Sequence, residues 1–266
     1  MKYIKEKIKY LFTPNAYVSQ KSFLKILIIE ILIILCFWQY NSSAYLPGPI
    51  DVAKAIPELF IKNNFLNDLL TSFFLSLSAL FLSVVISMII SYWSITPSGK
   101  PFAILVTKFR FSAFSGFVFI FAMAFPSGFI FKIYSLSFAV IPWLIDSNMV
   151  TFGEIEKMRY THLRTLGIPE WKIARELIVY GKIASVFEII RQNYAMIWMM
   201  IATVEAVYIS EGGIGALLEM LRKYTANLPQ MLAIQFTVLI LAIVNDYGFK
   251  SFNKFAFPWA FLKNEK

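Results

Sequence analysis

The chain has 266 residues, of which 58% are hydrophobic, 17% aromatic and only 15% charged, with a formal net charge of +9. So few charges exclude an ordinary soluble domain, and a mean hydropathy of +0.65 points to a polytopic, all-α membrane protein. The positive excess does not mark a nucleic-acid binder, because the basic residues are scattered between apolar runs and build no continuous face for phosphates.

Residues 1–22 carry Lys2, Lys5, Lys7 and Lys9 and read as a cytoplasmic N-terminal segment. No small-residue cleavage site follows Trp38-Gln39-Tyr40, so the first apolar run is expected to remain as a span rather than leave as a signal peptide. A span needs about 20 apolar residues, and the pattern predicts six, at 23–40, 68–93, 110–127, 129–146, 184–208 and 230–248. Pro126, Gly128 and Lys132 crowd the junction between the third and fourth. The single cysteine, Cys36, lies in the first run as a small apolar filler and excludes an intrachain disulfide or a multi-cysteine metal site.

Between spans one and two, Tyr45-Leu46-Pro47-Gly48-Pro49 punctuates the chain, and Asp51 to Leu59 suits a short interfacial helix. Span two places Ser72, Ser76, Ser83 and Ser87 on one stripe at 100° per residue. Such a stripe either packs closely on a neighbouring helix or lines a hydrated path, with Ser76 and Ser83 the candidate path residues. Phe74, Phe81, Met196, Met199 and Met200 read as lipid- or core-facing.

Span five holds Glu188 and Arg191 at i, i+3, which predicts a pair on one face. Charges inside a span are costly. The pair therefore either neutralises itself near the inner boundary or forms a gate. Glu205, at the other end, either reaches water or a neighbour, or lines the outer mouth. Glu211-Gly212-Gly213-Ile214-Gly215 ends this span, and Ala216 to Tyr224 reads as a short helix before Pro229 opens span six. No internal repeat is visible, so the chain is expected to be one domain.

The distribution of positive charge orients the spans. With both termini inside, the inner segments hold most of the 25 basic residues, and the outer ones only Lys54, Lys62, Lys132, Arg222 and Lys223. This makes the long polar insert at 159–182 cytoplasmic. Within it, Tyr160 to Leu166 predicts two helical turns, Gly167 a left-handed end, and Pro169 with Glu170 the start of a second helix. Trp171, Ile173, Ala174, Leu177 and Ile178 share its apolar face, while Lys172, Arg175 and Glu176 take the other. On physical grounds alone this is a docking element for a soluble partner, or an ordinary helical loop. His162, the chain's one histidine, has no companions for zinc and reads as a polar contact.

Arg164-Thr165-Leu166-Gly167, followed by Trp171, Ile173 and Arg175, resembles the signature loop of binding-protein-dependent ABC importer permeases. The surroundings resemble the nitrate, sulfonate and taurine branch, through Leu46-Pro47-Gly48-Pro49, Pro142, Arg191, Trp198, Glu205, Gly212-Gly213-Ile214-Gly215 and Phe257-Pro258-Trp259. Thr161-His162-Leu163 stands where the signature has Glu-Ala-Ala, and Tyr180 where it has a proline.

The resemblance implies a type I ABC importer permease-like fold of six transmembrane helices in the cytoplasmic (inner) membrane. It implies a non-catalytic subunit with no cofactor of its own, coupled through His162, Leu163, Leu166, Gly167 and Trp171 to an ABC ATPase dimer that binds ATP and magnesium. A second permease copy, most simply a homodimer, and an extracytoplasmic solute-binding protein complete the implied assembly. The chain has no phosphate-binding loop, since Ser98-Gly99-Lys100-Pro101 lacks the first glycine and the hydroxyl.

Three alternatives have sequence tests. An energy-coupling subunit of a vitamin importer would show paired Ala-Arg-Gly-like motifs, which are not found. A membrane enzyme would cluster acidic residues, whereas Asp68, Asp146 and Asp246 are scattered. A channel would show a filter-like loop. The solute is left open.

Overall fold

The computed structural model describes residues 13–14, 19–43, 46–62, 65–125 and 128–261. Lys2, Lys5, Lys7, Lys9, Tyr45 and Pro126, all used in the sequence reading, lie outside them. The described chain is helical, with no strand. In order it forms α1 (Gln20–Tyr40), α2 (Pro49–Lys62), α3 (Phe65–Trp93), α4 (Gly99–Lys108), α5 (Phe114–Ala124), α6 (Gly128–Gly153), α7 (Lys157–Thr165), α8 (Glu170–Ala174), α9 (Gly181–Glu205), α10 (Ile214–Met220), α11 (Leu228–Ala256) and α12 (Pro258–Phe261).

Four helices, α1, α3, α6 and α11, are long and apolar enough to cross a membrane, or five spans if α4 and α5 form one. These are the proportions of a multi-pass helical membrane protein. The third expected span is not one straight helix. The α4 side, which ends in the tight turn Phe109–Phe111, meets α5 at 104°. Ser112 and Ala113 are extended at the break, and the Ser112 hydroxyl takes the Phe109 carbonyl that would have continued the helix. The fifth expected span, α9, has the length but falls short in apolarity, because Glu188 and Arg191-Gln192-Asn193 interrupt it. It packs among α3, α6 and α11, where protein rather than lipid surrounds its polar face.

α3 and α6 run the same way, both starting at the Glu205 end of the bundle, and α9 runs against them. Trp38 meets Phe236, Ser72 meets Glu205, and Tyr92 stacks on Phe152. The end bearing α7 and α8 is here the near end, and that bearing Glu205 the far end.

The closest seam joins α3 and α6. On α3, Ser72, Ser76, Ala79, Ser83, Ser87 and Ser91 are all fully buried, Ser72 and Ser76 bonded to α9 and Ala79 and Ser91 to α6. Ser83 and Ser87 give their hydroxyl hydrogens to carbonyls of their own helix, so they add no unpaired donor and leave room for backbone approach. Ser137 and Asn148 of α6 close the seam with bonds to the Ala79 carbonyl (3.1 Å) and the Ser91 hydroxyl (3.4 Å). The serine stripe is thus a packing surface inside the protomer, and Ser76 also bonds the Tyr194 hydroxyl at 2.8 Å. Ser83→Leu is expected to destabilise the protein by roughly 1–3 kcal/mol through overpacking, while Ser83→Ala stays near neutral. Thermal unfolding in detergent checks both.

α1 stands apart, with none of its apolar window buried. It is tied in at one end, where the Trp38 indole N–H donates to the Pro47 carbonyl at 3.1 Å. The Pro47-Gly48-Pro49 corner thereby fixes the entry to α2, which is amphipathic as expected but longer than the predicted helix.

Candidate functional site

The near-end element is built as its sequence dictates. α7 stops at Gly167, whose φ of 72° is left-handed. The Gly167 amide bonds the Arg164 carbonyl (2.9 Å) and the Ile168 amide reaches back to Leu163 (3.3 Å), the paired pattern that closes a helix end. Arg164 then clasps Glu170 with two bonds of 2.6 and 3.0 Å across the turn. The guanidinium's hydrogen bonds hold the Glu170 carboxyl below its ordinary range, so the clasp stays charged at neutral pH. From Glu170 the backbone is helical without a break to Glu205, through the wide turn Arg175–Tyr180. Wide turns of this kind recur at functional positions.

Ile173 and Ile178 are buried, Ile178 against Phe152 and Val186. Trp171, on the same apolar face by sequence, stands 73% exposed, because it precedes the packed stretch and projects beyond it. Leu166 (62% exposed) and Met158 (79%) are likewise bare. His162 is exposed and Leu163 half-buried; both line a groove of about 370 Å³ with Glu156, Met158, Arg159 and Leu177. His162, Leu163, Leu166, Gly167 and Trp171 therefore sit on one protruding element, among Lys157, Arg159, Lys172 and Arg175.

A second cluster ties α9 to α11. Arg191 holds Glu188 by two bonds of 3.0 and 2.6 Å and also pairs with Asp246. Asn253 adds a 3.5 Å contact to Glu188. The i, i+3 pair was legible in sequence, but Asp246 and Asn253 were not. Asp246 sat in an apolar run, and that anomaly was the available signal.

A third cluster lies at the broken span. Arg110 pairs with Asp146 of α6 and lies over the rings of Phe111 (4.9 Å) and Trp143 (5.5 Å). A cavity of about 140 Å³ beside it is lined by Ser112, Phe138, Met196 and Met200, among others.

The fourth is at the far end. Glu205 is fully buried, so it does not reach water; of the alternatives open to it in the sequence, the structure shows bonding to neighbours. It accepts from the Ser72 hydroxyl (2.6 Å) and the Gly215 amide (2.8 Å). Asp68 accepts from the Gly213 amide at 2.9 Å. Lys132, expected in an outer loop, lies in the first turns of α6, 1% exposed, and donates to the Gly212 carbonyl at 3.1 Å.

Asp68, Asp146 and Asp246 thus belong to three separate clusters, and among the described residues no group of three His, Cys, Asp or Glu side chains suits a metal ion. Compared with models of known protein families and with curated proteins, the chain matches none.

Proposed function

We propose that this chain is the permease subunit of an ATP-driven importer of the binding-protein-dependent type, resembling the nitrate, sulfonate and taurine branch. In this reading six helical passes, with α4–α5 as a broken third and α9 as the charged fifth, make half of a paired translocation path. A second copy supplies the other half, and both termini face the cytoplasm with α7 and α8. An extracytoplasmic binding protein delivers the solute. A separate ATPase pair, holding ATP and magnesium, docks on the near-end element and moves it.

One observation carries the reading: a protruding, basic helix–glycine–helix element keeps Met158, Leu166 and Trp171 bare in water while being continuous with a core helix. Large apolar side chains left exposed on a rigid support mark a contact surface. Surrounding positive charge favours an acidic partner. Continuity of α8 with α9 gives any force applied there a direct route into the bundle.

The test is capture. A photo-reactive amino acid at Trp171, in the chain expressed with its neighbouring genes, is expected to cross-link to an ATP-binding subunit, and one at the lipid-facing Phe81 to none. Recovery of no nucleotide-binding protein at Trp171, Leu166 or Met158 refutes the proposal.

A further inference from the structure

Beyond Glu205 the chain turns back over the far end before entering α11. The returning piece, α10 and the wide turn Leu221–Thr225, is bracketed by left-handed backbone. Gly212 (φ 69°) and Gly213 (φ 104°) stand on one side and Ala226 (φ 47°) on the other. A non-glycine residue adopts that conformation at a cost, so both flanks are places where the chain changes direction sharply.

The piece is amphipathic. Ile214, Ala216, Leu217 and Leu221 face the bundle and are buried, while Tyr224 is exposed. On the outer side Glu219 holds Arg222 and Lys223 at 2.6 and 3.2 Å.

What holds it down is polar and comes from three helices. Asp68 and Ser72 of α3, Lys132 of α6 and Glu205 of α9 each bond the backbone of Gly212-Gly213-Ile214-Gly215, Ser72 by accepting from the Ile214 amide at 2.9 Å. None of the three charged groups forms an ion pair with another within 4 Å. A permanent seal at this place would be cheaper in apolar side chains, because buried charges are costly. Carboxylates and an ammonium are instead groups that water can receive once the cover lifts. The fit is close: a Cβ on Gly213 would run into the Glu205 carboxylate, and one on Gly215 into the Ala202 backbone.

We propose that the segment 212–225 is a hinged lid on the far end of the bundle, latched by Glu205, Ser72, Asp68 and Lys132, and that its release exposes these four groups as a polar vestibule. The proposal rests on the membrane-protein fold and not on an ATPase partner, so the two can fail separately.

The test uses the full chain in membrane vesicles of both orientations, with Cys36→Ser to clear the background. Leu217→Cys reports the underside of the lid, Tyr224→Cys its upper side and Ala79→Cys the α3–α6 seam. An impermeant maleimide is expected to label Tyr224→Cys quickly and Leu217→Cys slowly. Adding Glu205→Gln or Lys132→Met is expected to speed labelling of Leu217→Cys by about tenfold or more, since bonds to charged groups hold by that order. Labelling of Tyr224→Cys and Ala79→Cys should not change. If a variant opens the Ala79→Cys seam it has lost its fold, and Asp68→Asn and Ser72→Ala then decide, each expected to give a rise of a few fold. Unchanged labelling at Leu217→Cys in the variants that keep the seam closed overturns the lid.

Discussion

Gly167→Val is expected to disconnect the near-end element while leaving the protein inserted and folded. Nothing lies within 4 Å of a Cβ built on Gly167, so the substitution meets no clash and acts through the backbone alone. At φ 72° a β-branched residue is strained by about 1–2 kcal/mol or more, enough to shift the turn roughly tenfold toward other conformations. The bonds that close α7, from Gly167 to Arg164 and from Ile168 to Leu163, go with it. Hydrogen exchange at these two amides should accelerate by about that factor, and on the proposed reading uptake per ATP hydrolysed should fall in parallel. Gly167→Asn is the control, because asparagine tolerates the left-handed region, and it should keep most of both. Equal loss in the two variants would show that side-chain bulk, not conformation, matters here.

Arg191→Met should destabilise the protein by about 2–4 kcal/mol, between the values of exposed and buried pairs. The guanidinium is the only cation facing Glu188 and Asp246 among the described ion pairs, and it joins α9 to α11. Removing it leaves two carboxylates and the near-buried Asn253 facing one another. Adding Glu188→Gln and Asp246→Asn to Arg191→Met should recover much of the loss, because the penalty comes from the orphaned charges rather than from the missing contact. Thermal unfolding in detergent measures both. A single variant as stable as the parent would mean the cluster is not a tie between the helices.

The parts readable from sequence were those governed by local rules. Gly167 and Pro169 announced the turn, the serines at 100° per residue announced the α3 stripe, and Glu188 with Arg191 announced a pair. The parts that were hidden depend on the return of distant chain. Asp68 meets Gly213 across 145 positions, and Arg110 finds Asp146 only because the span between them breaks. Lys132 and Glu205 were visible as anomalies inside apolar stretches, but periodicity does not tell a charge facing water from one bonded to a folded-back turn. Trp171 was legible as part of an apolar face, but a helical wheel ranks faces by apolarity and does not separate the residues packed on their own protein from the one left bare.

The unbroken run from Glu170 to Glu205 makes a rod of roughly 50 Å, with Trp171 close to one tip, Glu205 at the other and Arg191 anchored between them. Rocking such a rod by about 5° around the Arg191 fulcrum shifts each tip by roughly 2 Å, the scale of known helix displacements. A bond of 2.6 Å from Ser72 to Glu205 does not survive a shift of that size. If both proposals hold, a push on the tryptophan tip would unseat the glutamate tip in the same movement, softened by the wide turn at Arg175–Tyr180.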